Sequence, residues 1–228
     1  MKIRNLNKKI IVSITGSTEK EWKDKLEEIK KLKVKRFAVF LSQYGPSQRQ
    51  KIYKELLKIK TKKIKIPLIH LRDDMNSEEV GFLVKNFKPK YLTIHEDHFK
   101  FLDKWKEWKD KLLLEMNYND QVPKEVAVEK IKGFCIDLSH FKASQKRQTK
   151  DFDYIISKKK SRKYFKANHL NGYNKQKEKD IHKIQSLRNF DYLTSLPNFL
   201  FGKVIALETQ NPIAQQIKFK EHIISLLS

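Results

Sequence analysis

The chain reads as an α/β protein folded as a single (β/α)8 barrel of the TIM type, and three observations predict it. Apolar strand-like runs alternate with helical patterns along the whole chain, which argues for a parallel sheet. Eight such runs fit into 228 residues, about 28 residues per repeat, near the compact end for this barrel. A nitrogen or oxygen ligand stands near the C-terminal end of almost every run, the end at which side chains of a closed parallel barrel converge.

The strand runs are Ile10–Thr15, Arg36–Ser42, Ile66–Arg72, Tyr91–Glu96, Leu112–Asn117, Gly133–His140, Tyr164–Leu170 and Val204–Thr209. Helical patterns separate them at Glu19–Leu32, Ser47–Lys60, Ser77–Phe87, Phe99–Lys109 and Lys124–Lys132, and Ile213–Leu227 reads as a closing amphipathic helix. Helix starts are marked by Ser17 before EKEW, Asn76 and Ser77 before EEV, and Pro123 before KEVAVEKI. An open doubly wound sheet would normally carry a glycine-rich phosphate loop after its first strand. Gly16 stands alone there, in a chain with six glycines. Gly133, Cys135 and Asp137 share one strand face, as do Phe165, Ala167 and His169, and Val204, Ala206 and Glu208, so small or apolar residues are expected inside, below a polar top.

The length suits one domain spanning residues 1–228, large enough to bury a full core. Lysines interrupt every apolar stretch before it reaches the ~18 residues of a membrane span. The run IIVSI after the basic N-terminus is too short for a leader and reads as the first strand. One cysteine, Cys135, excludes a disulfide framework and a CxxC zinc site. A cytoplasmic protein is the expectation, with neither a membrane partner nor an obligate protein partner. The formal charge of +23 suits phosphate-rich ligands. Yet only seven of the 50 basic residues are arginines, and the lysines spread over most helices as a solvated outer ring would.

The chemistry lies in the strand ends. His70, His95, Glu115 and Asp137 follow one another at intervals of 25, 20 and 22 residues, each about one βα unit; His169 and Glu208 follow after 32 and 39. Divalent transition metals take neutral imidazole and carboxylate at ~2.0–2.2 Å. One such residue at a strand end is an ordinary cap; a ligand type on this many separate strands and loops points to a metal centre. Zinc or manganese fits the donors, and magnesium is compatible. Other residues read as structural: His98 and His222 on helices, Trp105 and Trp108 one turn apart against the barrel, Cys135 in the interior, Asp73 and Asp74 as caps.

The motifs resemble those of the xylose-isomerase-like barrels, the group holding endonuclease IV and the sugar isomerases and epimerases. DLSH (Asp137 to His140) is similar to the group's Asp-x-x-His, HLN (His169 to Asn171) to its His-x-Asn, DIH (Asp180 to His182) to its Asp-x-His, and ALE, ending in Glu208, to its terminal strand glutamate. The endonuclease resemblance implies three metals. His70 and His95 would bind the first, Glu115 would bridge to a second completed by Asp137, His169 and Glu208, and His140, Asp180 and His182 would hold the third. A metal-bridged hydroxide would then attack phosphorus in abasic-site DNA. Tyr44, Arg49, Leu71 and Arg72, in loops after the second and third strands, would press against the nucleic acid. The sugar-enzyme resemblance implies one metal on Glu115, Asp137, His169 and Glu208. There the two glutamates would move protons on a small sugar or sugar phosphate, and His140 would steady an oxygen. The surplus ligands His70, His95, Asp180 and His182 put hydrolysis first, isomerisation or epimerisation second, and a non-catalytic metal-binding barrel third.

Overall fold

A computed structural model describes residues 3–60 and 63–228. In chain order it contains α1 (Leu6–Lys9), β1 (Ile10–Ile14), α2 (Glu19–Lys31), β2 (Phe37–Phe40), α3 (Pro46–Ile59), β3 (Leu68–His70), α4 (Ser77–Phe87), β4 (Tyr91–His95), β5 (Leu112–Glu115), β6 (Gly133–Asp137), α5 (Leu138–Arg147), α6 (Lys150–Ser157), β7 (Phe165–Leu170), β8 (Gly172–Asn174), β9 (Lys179–Ile181), β10 (Val204–Leu207) and α7 (Ile213–Leu227). Eight parallel strands close into a barrel in the order β1-β10-β7-β6-β5-β4-β3-β2, while β8 and β9 form a separate antiparallel hairpin. The (β/α)8 expectation holds.

Period-two alternation divides the strand residues between two cores. Ile11, Ala38, Phe40, Leu68, Tyr91, Leu113, Cys135, Ala167, Val204 and Ala206 fill the barrel interior. Their neighbours, such as Ile10, Val12, Leu92, Leu112 and Leu114, join the layer between sheet and helices. Phe165 departs from the expected pattern. The ladder slips between Phe134 and Cys135, so Phe134 pairs with Phe165 but Cys135 with Ala167. Phe165 therefore lies in the outer layer, its ring 5.6 Å from that of Phe134. Gly133 is required beside that slip: at φ +144°, a Cβ would sit 2.2 Å from the Tyr164 carbonyl oxygen.

Local chemistry sets the helix starts. Thr18 and Glu21 form a reciprocal capping box on α2, Asn76 accepts from the Glu79 N–H on α4, and Thr149 caps α6. Three expected elements differ. Lys124–Lys132 is a loop with one 3-10 turn, Val128–Lys130. The segment around Phe99–Lys109 is a 3-10 helix, Glu96–Trp108, broken at Trp105. The sixth strand stops at Asp137, where α5 begins, instead of running to His140. No helix among the described residues is long and apolar enough to cross a membrane.

Candidate metal centre

Parallel strands of one barrel bring β3, β4, β5, β6, β7 and β10 to a common mouth, and each ends in or beside a candidate ligand. His70, Glu115, Asp137 and His169 are nearly or fully buried there. Glu115 is the hub. Its Oε2 lies 2.9 Å from His70 Nε2 and 2.9 Å from His169 Nδ1, with His95 Nδ1 at 3.9 Å. Glu208 Oε2 lies 3.5 Å from the same His169 Nδ1. One ligand atom each from Glu115, Asp137, His169 and Glu208 falls within 4.8 Å of the others, and His70, Glu115 and His169 form a second, overlapping group.

Asp137 does two jobs. Its Oδ1 accepts the N–H groups of Ser139 and His140 at 2.8 and 2.9 Å, capping α5, and the Ser139 hydroxyl at 2.8 Å. Asn171 Nδ2 donates to its Oδ2 at 2.9 Å, which aims that oxygen at the cluster. His169 is oriented from behind by Thr93, whose hydroxyl lies 3.4 Å from Nε2. Its Nδ1 faces the carboxylates without a hydrogen bond of proper geometry, despite the short approach to Glu115. Phe40 packs its ring 4.8 Å from that of His169. Asn171, Thr93 and Phe40 escaped the sequence reading as site residues; only the position of Asn171 beside His169 in HLN signalled any of them.

The electrostatics follow from burial and crowding. Burial tends to raise Glu115, but the imidazoles of His169, His95 and His70 outweigh it and hold its carboxyl well below the usual range. Glu208 goes the other way: burial, together with Glu115 and Asp137, pushes its carboxyl up. Burial also lowers His95 to about 4. Three carboxylates and an imidazole with an unpartnered nitrogen, all but Glu208 buried, form a donor set suited to a divalent cation.

The expected third metal site does not assemble among the described residues. Asp180 and His182 bind each other, Oδ2 to Nε2 at 2.8 Å. Tyr118 donates its hydroxyl to Asp180 Oδ1 at 2.6 Å, and His182 donates from Nδ1 to the Glu208 carbonyl at 3.0 Å. These contacts hold His182 up at about 10 despite its burial, and Asp180 well down. His140 stands nearby, its Nε2 3.9 Å from Asp137 Oδ2 and its ring 4.6 Å from that of Tyr118, but it joins no ligand group with Asp180 and His182. The His95 ring lies tilted 4.8 Å from that of His70 but joins no ligand group. Of the expected nucleic-acid contacts, Tyr44, Arg49 and Leu71 are buried. Arg49 is spent on Asp74 and Glu79 and on the Tyr44 carbonyl, so Arg72 alone remains at the rim, beside Asp73 and Asp74.

No family model matches the chain, and no curated protein matches it in sequence. Among solved structures it is similar to a D-tagatose 3-epimerase-like protein, at 14% identity over 96% of this chain and 97% of that one, with a TM-score of 0.52. It also aligns with an isomerase candidate from Sinorhizobium meliloti in an open-loop conformation, at 7% identity over 89% of this chain and 50% of that one, with a TM-score of 0.44. At such identities the likeness concerns the fold alone: the chain shares a closed (β/α)8 barrel with the D-tagatose 3-epimerase-like protein.

Proposed function

We propose that the chain is a divalent-metal-dependent isomerase or epimerase acting on a small ketose, with one cation held by Glu115, Asp137, His169 and Glu208. The observation that carries this reading is the gathering of one ligand atom from each of those four residues within 4.8 Å, while Asp180 and His182 are consumed by each other. The fold likeness to a D-tagatose 3-epimerase-like protein supports the substrate class. When bound, the cation would polarise a carbonyl oxygen and offset the charge that develops there.

The chain's own residues divide the remaining work. Glu115 sits on the floor with 2% of its side chain exposed, and Glu208 stands nearer the mouth at 15%. A substrate carbon between them would lose a proton to one carboxylate and regain it from the other. His140, 12% exposed with its Nε2 3.9 Å from Asp137 Oδ2, would steady a hydroxyl or carbonyl oxygen. The buried Phe40, its ring beside those of His70 and His169, keeps water from the floor.

The experiment is exchange in deuterated water with manganese and a panel of ketoses, followed by mass spectrometry. Wild type should place deuterium on the carbon beside the carbonyl. Glu115→Gln and Glu208→Gln should each lose about 10³-fold of that rate without a loss of folding. Cleavage of abasic-site DNA in place of exchange would return the reading to hydrolysis. Metal uptake with neither activity would leave a binding barrel.

A further inference from the structure

The opposite end of the barrel carries a feature that the metal centre does not use. Every barrel strand is led in by a cation: Lys9 before β1, Arg36 before β2, Lys65 before β3, Lys90 before β4, Lys111 before β5, Lys132 before β6, Lys163 before β7 and Lys203 before β10. Because the strands are parallel and closed, all eight open onto one face around the barrel axis. Lys65, Lys90, Lys132, Lys163 and Lys203 are exposed; the other three are half-buried. Not one of the eight makes an ion pair among the described residues. Arg36 donates to the Lys8 carbonyl, Lys111 lies 3.5 Å from the Pro89 carbonyl, and Lys90 and Lys163 lie over the rings of Tyr91 and Tyr164; Glu129, already bound to Lys158, is an acidic neighbour of Lys163.

Helix C-termini also point to this face, and lysines there offset the macrodipoles. That accounts for some of the charge, but not for its crowding. Lys90 and Lys166 are both held below the usual lysine range, first by burial and then by neighbouring cations: Lys203 and Arg36 for the one, Lys132, Lys203, Lys90 and Lys163 for the other. Two grooves open on the same face. The larger, of about 810 Å³, has a floor of Leu56, Ile59, Ile64 and Phe87 under a basic rim that includes Arg36 and Lys65. The second, of about 470 Å³, adjoins it at Arg36 and is floored by Val34, Ile217 and Ile224. Two of the exposed large hydrophobic side chains, Leu32 and Leu57, lie where α2 and α3 run back towards this face.

We propose that this N-terminal face of the barrel docks on an anionic phospholipid surface, its ring of lysines meeting the headgroups and its apolar grooves the acyl boundary beneath them. Charge complementarity selects an anion, and a ring around the axis meets a plane better than it meets a strand. An apolar groove floor is of no use to a nucleic-acid backbone, the ring has one arginine, and the Tyr91 and Tyr164 rings are covered by Lys90 and Lys163 instead of lying open to stack on bases. Juxtaposed lysines contribute about 1 kcal/mol each near an anionic bilayer. A spanning helix is not needed for such contact. The active mouth points away from the bilayer and stays open, so this docking stands apart from the proposed isomerase activity.

The test is flotation of the full chain with phosphatidylcholine vesicles with and without phosphatidylglycerol, at physiological salt. Binding should require the anionic lipid and weaken as salt rises. The triple variant K90E/K132E/K203E should lose at least about tenfold in partitioning. A variant of equal charge at the other end, K100E/K177E/K183E, should keep most of its binding. The neutral set K90Q/K132Q/K203Q replaces the first variant if melting shows that it does not fold. Equal losses in the two variants, no flotation of wild type, or binding to DNA but not to vesicles would each overturn the proposal.

Discussion

The two ends of the barrel handle charge in opposite ways. At the C-terminal end, the deeply buried cations are matched by acceptors. Arg49, 1% exposed, holds Glu79 through two nitrogens and Asp74 through a third. Lys25, 3% exposed, donates to the carbonyls of Thr15 and Thr209 at 2.6 and 3.0 Å, tying the ends of β1 and β10 together. At the N-terminal end the cations are mostly exposed, unpaired and set against one another. Ions taken out of water must be matched, whereas ions left in water cost little and are free to meet something else. The first arrangement builds a site; the second leaves a surface.

Removing a buried partner should therefore produce the largest stability effect. Arg49→Ala leaves Glu79 half-buried without its cation and deprives the Tyr44 carbonyl of its donor. The expected loss is about 3–5 kcal/mol in urea unfolding. Tyr53, which donates to Glu79 at 2.7 Å, keeps that carboxylate partly satisfied and sets the lower end of the range. A loss below about 1 kcal/mol would mean that the arginine is no more than a surface ion pair, and the contrast between the two ends would fail.

The sequence showed the strands and the ligands that end them because both follow from one constraint. A buried parallel strand must be a short apolar run, and the inward-facing residue nearest its C-terminal end lines the mouth: the last residue of β3, β5 and β6, the penultimate one of β7. His70, Glu115, Asp137 and His169 were legible for that reason. The stretch KEVAVEKI was misleading. Val126 and Val128, two residues apart, are both buried, an extended spacing that held over the helical one. The hairpin β8–β9 was hidden because Asp180 and His182 looked like ligands, although Tyr118, far off in sequence, occupies Asp180. Arg49 seemed available to DNA because nothing local announces Asp74 and Glu79 across the next connection.

A second effect, of intermediate size, comes from an unmatched acid at the C-terminal end. Glu96 is 1% exposed, and neither of its carboxyl oxygens has a hydrogen bond of proper geometry. Burial, and then the neighbouring Asp151, raises its pKa well above the usual carboxylate range; burial raises Asp151 as well. The folded chain thus keeps a proton that the unfolded chain releases. That contribution is complete in acid, below the ordinary carboxylate pKa, and is lost as pH rises through the elevated one. Stability measured by urea midpoint should fall across that window, by up to about 1.4 kcal/mol per pH unit for one linked proton. Glu96→Gln, which stays neutral, should flatten the slope. An unchanged slope in the variant would assign it to other groups.

The smallest effect belongs to the opposite end, and its sign is what matters. Lys90 is exposed, lies beside Lys203 and Arg36, and forms no ion pair among the described residues. Lys90→Gln removes a repulsion and leaves no group unsatisfied, so the change should stay within about 0.5 kcal/mol, on the stabilising side. Added salt gives an independent check, because it screens exposed charges over about 10 Å at 0.1 M. Salt should raise the wild-type melting temperature slightly, and the rise should shrink in Lys90→Gln. Arg49→Ala should respond to salt much as wild type does, because its principal lost partner, Glu79, is only 15% exposed. A destabilised Lys90→Gln would show that the ring of lysines is held by the fold for its own sake, as compensation for the helix ends that it faces.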